Sequence, residues 1–376
     1  MRNVHFGCKR QKLRKIVSIL CGTCVSLLLA FLQLVALTYV IHIIKTDKEL
    51  EMLKTNGYYN PVSVGDYSLN VAIFGNKEGR HTIVSLSGFG KGDCSIIERR
   101  MVSCLEEDNR VAFVDRAGYG LSDDTTNDMT IDYIVEDYRK ALKNAGLKEP
   151  YILMPSSIGG AYATYWTSTY PNEIEAVVFL DGTQLSENMR VNTDNAGYED
   201  SMNVFLSQLG FGRYSLRDRY QLYAEGFTEE EQIYGDALNL MTMDSYAMVS
   251  EASLRDENLE EAWNNINTND IPKIYICASW GYQTIEEVTE HGKWVNNRIM
   301  KNNLDIPLKP EEYEGNEEYI DSFLAACYDA VSSRLYPYIE RLGNCRLVML
   351  GGDHTIYEHQ PEQCGLIIKE YISELE

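Results

Sequence analysis

Residues 151–166 read YILMPSSIGGAYATYW, and the order of residue types in this stretch predicts a strand, a tight turn and a helix. The run YILMP is dense in apolar residues, which is typical of a strand buried on both faces of a parallel sheet. Serines and glycines at 156–160 favour a crowded turn. Such an elbow raises a serine hydroxyl above the sheet and directs backbone N–H groups at the same point.

The turn contains two serines, and the spacing selects the second as the candidate nucleophile. The usual elbow pattern is G-x-S-x-G, in which a small residue stands two positions after the serine. Gly159 fills that position for Ser157, whereas Ser156 would put Ile158 there. Pro155 stands where the first glycine is expected, which is a departure from the pattern.

Outside the elbow, short apolar runs alternate with helical patterns along most of the chain. Residues 130–145 predict a helix with Thr130 as N-cap and Gly146 as its stop, and further helices are expected from Ile158 and over about 360–374. This alternation predicts a doubly wound, mostly parallel sheet. The strand-like runs are YSLNVAIFG (67–75), HTIVSLSG (81–88), RVAFVDRAG (110–118), YILMPSS (151–157), EAVVFLDGT (175–183), PKIYICASWG (272–281) and CRLVMLGGD (345–353).

Two long stretches, 184–268 and 282–342, carry helical patterns and no convincing buried strand. Each lies between two predicted strands. We therefore interpret both as insertions on the sheet rather than as separate domains.

Four motifs, in this order, resemble those of the α/β-hydrolase superfamily across residues 65–376. The resemblance implies an α/β-hydrolase fold in which the insertion at about 184–268 is a helical cap over the active site. The motifs are VSLSGFG (84–90) for the oxyanion loop, VAFVDRAGYGLSD (111–123) for the turn after the fourth strand, SSIGGAYATYWTSTYPNEIEAVVFLDGT (156–183) for the elbow, and VMLGGDHTIYEHQPEQ (348–363) for the histidine loop.

A serine hydroxyl needs a base to act as a nucleophile at neutral pH. The histidines outside the N-terminal segment are His81, His291, His354 and His359. The resemblance implies that His354 is the base, because it follows the last strand as the family's histidine does. His359, five residues later, is the alternative.

The acid that orients the histidine is left open between two places. The family most often supplies Asp or Glu just after the seventh strand, where this chain reads ICASWGYQTIEE (276–287), with no acid before Glu286 and Glu287. Asp181 ends the sixth strand, an arrangement that some relatives use. We favour Asp181, with Glu286 or Glu287 as the alternative.

By the same resemblance, the backbone N–H groups of Phe89 and Ile158 are the expected donors to an oxyanion. Ser87 stands where the family usually has a histidine. The turn Asp115–Asp123 is expected to be structural, because its glycines permit a tight backbone path.

The N-terminal segment has the features of a membrane anchor. Residues 16–44 carry no formal charge, and as a helix they exceed the roughly 30 Å core of a bilayer. Lys and Arg dominate before this run, so the positive-inside rule places the N-terminus in the cytoplasm. A cleaved signal peptide is disfavoured by the length of the run. We predict a cytoplasmic tail (1–15), a transmembrane helix (16–44), a stalk (45–64) and an extracytoplasmic domain (65–376).

Charge and motif spacing argue against several other functions. The chain has 34 Lys/Arg against 56 Asp/Glu, so its surface repels nucleic-acid phosphates. GFGKG (88–92) lacks both the third glycine of a dinucleotide loop and the ending of a P-loop. No cluster of ligating residues has metal spacing. We therefore expect no nucleic-acid partner, no metal and no cofactor.

The sequence thus predicts a serine hydrolase that cleaves a small-molecule carboxylic ester, or less often an amide, through an acyl-serine intermediate. Dehalogenase chemistry is disfavoured because the elbow residue is serine rather than aspartate. The alternative is a non-catalytic, membrane-anchored binding protein that keeps the fold. Pro155, Ser87 and the missing acid after the seventh strand favour that alternative.

Overall fold

An eight-stranded sheet forms the centre of the protein. The computed structural model describes residues 2–190, 201–215, 227–242, 245–278, 331–351 and 354–375. The strands are β1 (Pro61–Ser63), β2 (Ser68–Gly75), β3 (Thr82–Leu86), β4 (Arg110–Val114), β5 (Tyr151–Pro155), β6 (Ile174–Leu180), β7 (Lys273–Ala278) and β8 (Cys345–Leu350). Their spatial order is β1-β2-β4-β3-β5-β6-β7-β8. The β1–β2 and β2–β4 pairs are antiparallel, and all later neighbours are parallel.

Helices cover both faces of this sheet and form the cap. In chain order they are α1 (Arg2–Thr55), α2 (Cys94–Val102), α3 (Ile131–Asn144), α4 (Gly159–Thr169), α5 (Ser201–Gln208), α6 (Gly212–Ser215), α7 (Glu229–Thr242), α8 (Tyr246–Ser253) and α9 (Arg255–Asn264), followed by a helix over 331–342 and the helices Ile356–His359 and Pro361–Ser373. Short 3₁₀ turns lie at Ser103–Leu105 and Pro171–Glu173.

Two apolar clusters pack against opposite faces of the sheet. On one face, α3, α4 and the helix over 331–342 contribute side chains such as Tyr138 and Trp166, both fully buried. On the other, α2 and the last helix contribute Met101 and Ile368. Because both faces are covered, the central strands are apolar without alternation. The predicted doubly wound sheet is confirmed.

Element bounds predicted from the sequence lie close to those observed. The helix predicted over 130–145 spans Ile131–Asn144, and Gly146 follows it with φ +75°. The insertion at 184–268 holds α5 to α9. Residues 279–330, which include most of the second insertion, lie outside the described part of the chain.

The segment predicted as a stalk, whose sequence KTDKELEMLKTNGYY (45–59) has helical character, packs against other parts of the protein. α1 runs without a break from Arg2 to Thr55, so the first part of 45–64 is helical. This part packs on the cap: Leu53 is fully buried, and Asn56 Nδ2 donates to Tyr234 Oη at 2.6 Å. α7 covers the apolar side chains near the end of α1, so this part of the chain is a packed helix rather than a free linker.

Strand direction determines where a site forms. The carboxyl ends of β3, β5, β6, β7 and β8 lie at one edge of the sheet, since these strands are parallel. The loops that follow them therefore meet above this edge. Open α/β sheets bind their ligands at such an edge.

Candidate active site

Ser157 occupies the sharp turn between β5 and α4, in a backbone conformation that few residues other than glycine adopt. Its φ is +50°. Crowding explains the glycine two positions later, because a Cβ at Gly159 would overlap the carbonyl oxygen of Leu86. Pro155, which departs from the usual pattern, is accommodated as the buried last residue of β5.

A relay of hydrogen bonds joins the loops after β5, β6 and β8. Ser157 Oγ lies 2.9 Å from Nε2 of His354, and Nδ1 of the same ring lies 2.6 Å from Oδ2 of Asp181. The serine hydroxyl donates to Nε2, and Nδ1–H donates to the carboxylate. The His354 side chain is 33% exposed and that of Asp181 is 4% exposed. The acid is therefore shielded from water, whereas the serine end of the relay is accessible.

Asp181 is held by the neighbouring strand. Its Oδ1 accepts the backbone N–H of Ala278, at the end of β7, over 2.9 Å. Its own N–H donates to the carbonyl of Ile276 at 2.8 Å, and its φ is +41°. Because the backbone occupies Oδ1, Oδ2 is directed at His354, and the carboxylate fixes the tautomer of the ring.

The three residues of this relay are those that the sequence singled out. The sequence left the acid open between Asp181 and Glu286 or Glu287, and in the structure the carboxylate beside Nδ1 of His354 is that of Asp181. The alternative acids Glu286 and Glu287 lie outside the described residues, and so does the side chain of His359.

The two expected oxyanion donors belong to two segments next to the serine, the start of α4 and the loop after β3. Ile158 is the N-cap of α4, so its N–H lies at the positive end of a helix. Phe89 follows Gly88, at which a Cβ would lie 3.0 Å from the Cβ of Ser157. The backbone of the loop after β3 therefore runs directly against the serine side chain, as an oxyanion-binding loop must.

A buried arginine holds this loop. Arg116, in the turn after β4, is 1% exposed, and its guanidinium donates to the carbonyl oxygens of Ser87 at 2.6 Å and Gly88 at 2.9 Å. It also donates to Ser87 Oγ at 3.0 Å. The C=O and N–H of a trans peptide point in opposite directions. By binding the Gly88 carbonyl, Arg116 therefore sets the direction of the Phe89 N–H.

The charge of Arg116 is balanced by Glu251 from α8 of the cap. Nε of Arg116 lies 3.3 Å from Oε2 of Glu251, and the carboxylate also accepts the hydroxyls of Tyr119, at 2.7 Å, and Tyr162. Burial disfavours the charge of Arg116, but Glu251 raises the guanidinium pKa well above its usual value. The ion pair thus connects α8 to the loop that carries Phe89.

A second ion pair joins the oxyanion loop to the histidine loop. Lys91 Nζ lies 2.7 Å from Oε1 of Glu358, whose side chain is almost fully buried. Glu358 belongs to the short helix Ile356–His359, which begins two residues after His354. The pair therefore couples the positions of the loops that carry the donor and the base.

A buried acid lies beneath the elbow. Glu98 of α2 accepts the hydroxyl of Ser156 at 2.8 Å and that of Ser85. Burial raises the pKa of Glu98 to about 7, although the two serine hydroxyls act to lower it. The first serine of the pair thus faces the interior, whereas Ser157 faces the loops of the site.

Sequence reasoning missed the positioning role of the buried charges. It predicts only a structural turn for Asp115–Asp123, and the one available signal is an arginine in an otherwise apolar and glycine-rich stretch. Nothing in 184–268 distinguishes Glu251 from other acids, because its partner Arg116 is 135 residues away in the chain.

Comparison with known proteins agrees with this fold. A family model described as "alpha/beta hydrolase fold" matches residues 82–233. This match spans β3 to β6 with the elbow, and over this part the chain resembles α/β-hydrolases. The predicted fold is thereby confirmed, and the superfamily includes hydrolases of several kinds of bond.

Proteins similar to this chain match it over most of its length. The uncharacterized protein YbdG of Bacillus subtilis (strain 168) is 26% identical over 342 residues, which are 89% of this chain and 91% of that protein. The epoxide hydrolase CorEH has a similar fold, with TM-score 0.57 and 14% identity over 85% of this chain and 99% of its own. An esterase from Exiguobacterium antarcticum has a similar fold, with TM-score 0.53 and 14% identity over 84% of this chain and 99% of the esterase.

Replacing Glu251 by Gln leaves the Arg116 guanidinium buried without a counter-charge. We expect the free energy of unfolding to fall by about 3 kcal/mol. We also expect Ser157 to react with a fluorophosphonate roughly tenfold more slowly or worse, because the oxyanion loop loses its brace. Urea denaturation and labelling kinetics measure the two effects. As a control, Glu260→Gln removes an exposed ion pair with Arg190 and should cost less than about 1 kcal/mol. Equally small effects in both variants would contradict the bracing role.

Replacing Glu98 by Gln should flatten the pH dependence of stability. Between the unfolded pKa of about 4.3 and the folded pKa of about 7, the folded protein keeps a proton that the unfolded chain has released. The free energy of unfolding of the parent therefore falls as pH rises through this window, by up to about 1.4 kcal/mol per pH unit from this group. Urea denaturation at pH 5, 6 and 7 should show a smaller slope for the variant. The exposed control Glu78→Gln should keep the parental slope, and an unchanged slope in Glu98→Gln would refute the assignment.

Proposed function

We propose that this chain is a serine hydrolase that cleaves carboxylic esters, and less often amides, through an acyl-serine intermediate. The observation that carries the proposal is the relay from Ser157 Oγ through His354 to Asp181, with distances of 2.9 and 2.6 Å. A hydroxyl, an imidazole and a carboxylate at such distances activate a serine for acyl transfer.

In the first half-reaction, Nε2 of His354 accepts the proton of Ser157 as Oγ bonds to the carbonyl carbon of the ester. The carbonyl oxygen takes the negative charge and accepts hydrogen bonds from the N–H groups of Phe89 and Ile158. When the carbonyl re-forms, the bond to the leaving alcohol breaks and Nε2 returns the proton to its oxygen. Asp181 stays ionised and stabilises the imidazolium.

In the second half-reaction, a water molecule gives a proton to Nε2 of His354 as its oxygen attacks the acyl carbon. The bond to Oγ of Ser157 breaks, Oγ regains the proton, and the carboxylic acid leaves. The partial exposure of Ser157 and His354 supports access for both the ester and the water.

The chemistry of the elbow residue supports acyl transfer over the other reactions of this fold. The esterase from Exiguobacterium antarcticum and the epoxide hydrolase CorEH share the fold, so the fold alone does not choose the substrate. A serine with an aligned base favours the ester. The alternative is a non-catalytic binding protein. It is disfavoured because ligand binding does not require a strained serine aligned with a histidine and a buried acid.

We also propose that α1 anchors the protein in a membrane as a single span. The helix stretch Lys15–Thr55 is long and apolar enough to cross one. The cations before residue 16 favour a cytoplasmic N-terminus, which places the hydrolase domain on the opposite side. The proposed partners are a small-molecule acyl ester and the bilayer, and the acidic surface disfavours nucleic acid.

Ser157→Ala should abolish labelling by a fluorophosphonate and all hydrolysis of p-nitrophenyl esters, because no nucleophile remains at the relay. Gel fluorescence and absorbance assays measure the two. Ser156→Ala is the matched control in the same turn. Its hydroxyl faces Glu98, so labelling should persist. Labelling of folded Ser157→Ala, or none in the folded parent, would overturn the proposal.

Asp181→Asn should lower turnover by roughly 10³- to 10⁴-fold with little change in fold. The amide oxygen can still accept the Ala278 N–H, which turns the amide NH₂ towards Nδ1 of His354. The ring then takes the tautomer whose Nε2 carries a proton and cannot serve as base. Steady-state ester hydrolysis measures the loss, with circular dichroism as the check on folding. Near-parental turnover would remove Asp181 from the relay.

A further inference from the structure

Exposure along α1 changes abruptly at Val35. Every described residue from 16 to 34 is exposed, whereas covered residues recur every three or four positions beyond them. At 1.5 Å per residue, the exposed stretch is about 28 Å long, close to the roughly 30 Å hydrocarbon core of a bilayer. Beyond residue 34 protein covers one face of α1, whereas apolar side chains on the rest of the helix stay exposed as far as Ile44. The covered residues are Val35, Thr38, His42, Thr46, Glu49, Leu50, Met52 and Leu53.

The cap touches α1 just beyond this boundary, through the turn between α5 and α6. A Cβ at Gly210 would lie 2.6 Å from the Cβ of His42 and 3.0 Å from the carbonyl oxygen of Thr38. The two backbones are thus in direct contact. Thr38 and His42 lie roughly 6 and 12 Å along the helix from Leu34. A hydrocarbon core of about 30 Å that begins at residue 16 would end near Val35, and with a headgroup layer of about 5 to 7 Å this turn would lie near the bilayer surface.

Arg213 fixes the cap to the helix at this level. Its guanidinium donates to the two carboxylate oxygens of Glu49 at 2.8 and 2.7 Å, and to Thr46 Oγ1 at 2.8 Å. Its Nε donates to Nδ1 of His42 at 3.0 Å. Bidentate pairing of this kind sets orientation as well as distance. The segment around Gly210 is therefore held at one height on α1.

The same segment of the cap exposes three large apolar side chains. Phe205 and Leu206 on α5 are 54% and 38% exposed, and Tyr214 on α6 is 61% exposed. Aromatic side chains beside an arginine are the composition of a membrane interface. On the rest of the described chain beyond α1, the exposed large apolar side chains are dispersed, at Ile233, Tyr246, Tyr336 and Leu366.

We propose that Phe205, Leu206 and Tyr214 form a surface, the cap foot, that contacts the headgroup layer of the bilayer crossed by α1. The bilayer is the occupant that the geometry favours, because the cap turn next to these residues contacts α1 at Thr38 and His42, in a part of the helix whose uncovered side chains stay apolar as far as Ile44. Contact with the interface removes part of this apolar area from water.

The cap foot also indicates the class of substrate, an inference that rests on the proposed ester hydrolysis. α7 packs on α1 near Leu53 through Tyr234, and it reaches the oxyanion loop through Asn239, whose Oδ1 accepts the Gly92 N–H at 3.2 Å. α7 thus contacts both α1 and the loop beside Ser157. The substrate class is an acyl ester lipid of the leaflet on which the cap foot rests.

Contact with the bilayer is tested with tryptophan as a depth probe in the full chain, reconstituted in vesicles of phosphatidylcholine and phosphatidylglycerol. Phe205→Trp and Tyr214→Trp should each add emission that brominated acyl chains quench. Leu366 lies on the last helix and is 66% exposed, so Leu366→Trp is the matched control. Its emission should not be quenched. Quenching no greater than in the control overturns the proposal. Emission that instead shifts to the blue as protein density rises assigns the surface to a second copy, and also overturns it.

The substrate class is tested with the double substitution Phe205→Glu and Leu206→Glu in the same vesicles. Hydrolysis of an ester lipid in the bilayer should fall at least tenfold, whereas hydrolysis of a soluble butyrate ester and fluorophosphonate labelling should stay at the parental level. Equal rates on bilayer lipid in parent and variant overturn the assignment of the lipid. A parent that neither labels nor hydrolyses either ester refutes the proposed function instead, and the quenching result still decides the cap foot.

Discussion

The sharp left-handed turn at Ser157 is the constraint on which the rest of the site depends. β3 and β5 are neighbours, so the carbonyl of Leu86 lies against position 159 and excludes any side chain there. The same proximity brings Gly88 to within van der Waals contact of the serine. The same backbone geometry therefore exposes the Ser157 hydroxyl, requires glycine at position 159 and places the loop after β3 beside the serine side chain.

Buried charge keeps this geometry in place. Arg116 binds two carbonyls of the oxyanion loop and would be costly to bury alone, but Glu251 and two tyrosine hydroxyls complete its surroundings. Glu98 lies below the elbow, where it accepts the hydroxyls of Ser85 and Ser156, and burial raises its pKa to about 7. Two buried charged groups therefore support the site: Arg116, paired with Glu251 on the cap side, and the protonatable acid Glu98 on the sheet side.

The cap is a structural part of the site. α8 supplies the counter-charge for Arg116, and α7 binds the oxyanion loop through Asn239. α7 also packs on α1, and α6 holds the same helix through Arg213. Contacts therefore run without interruption from the N-terminal helix to the loop beside Ser157. This continuity means that the position of α1 and the position of the loop beside Ser157 are mechanically linked.

The sequence by itself determined the order of strands and helices, the elbow and the candidate nucleophile, because those follow from local patterns: buried apolar runs, a serine–glycine turn and helical periodicity. It left the acid open between Asp181 and two glutamates, and it was silent on Glu98 and Glu251. Only the tertiary structure brought Asp181 to His354 and Glu251 to Arg116. These pairs join residues far apart in the chain, and their partners depend on which strand ends and which cap helix lie side by side.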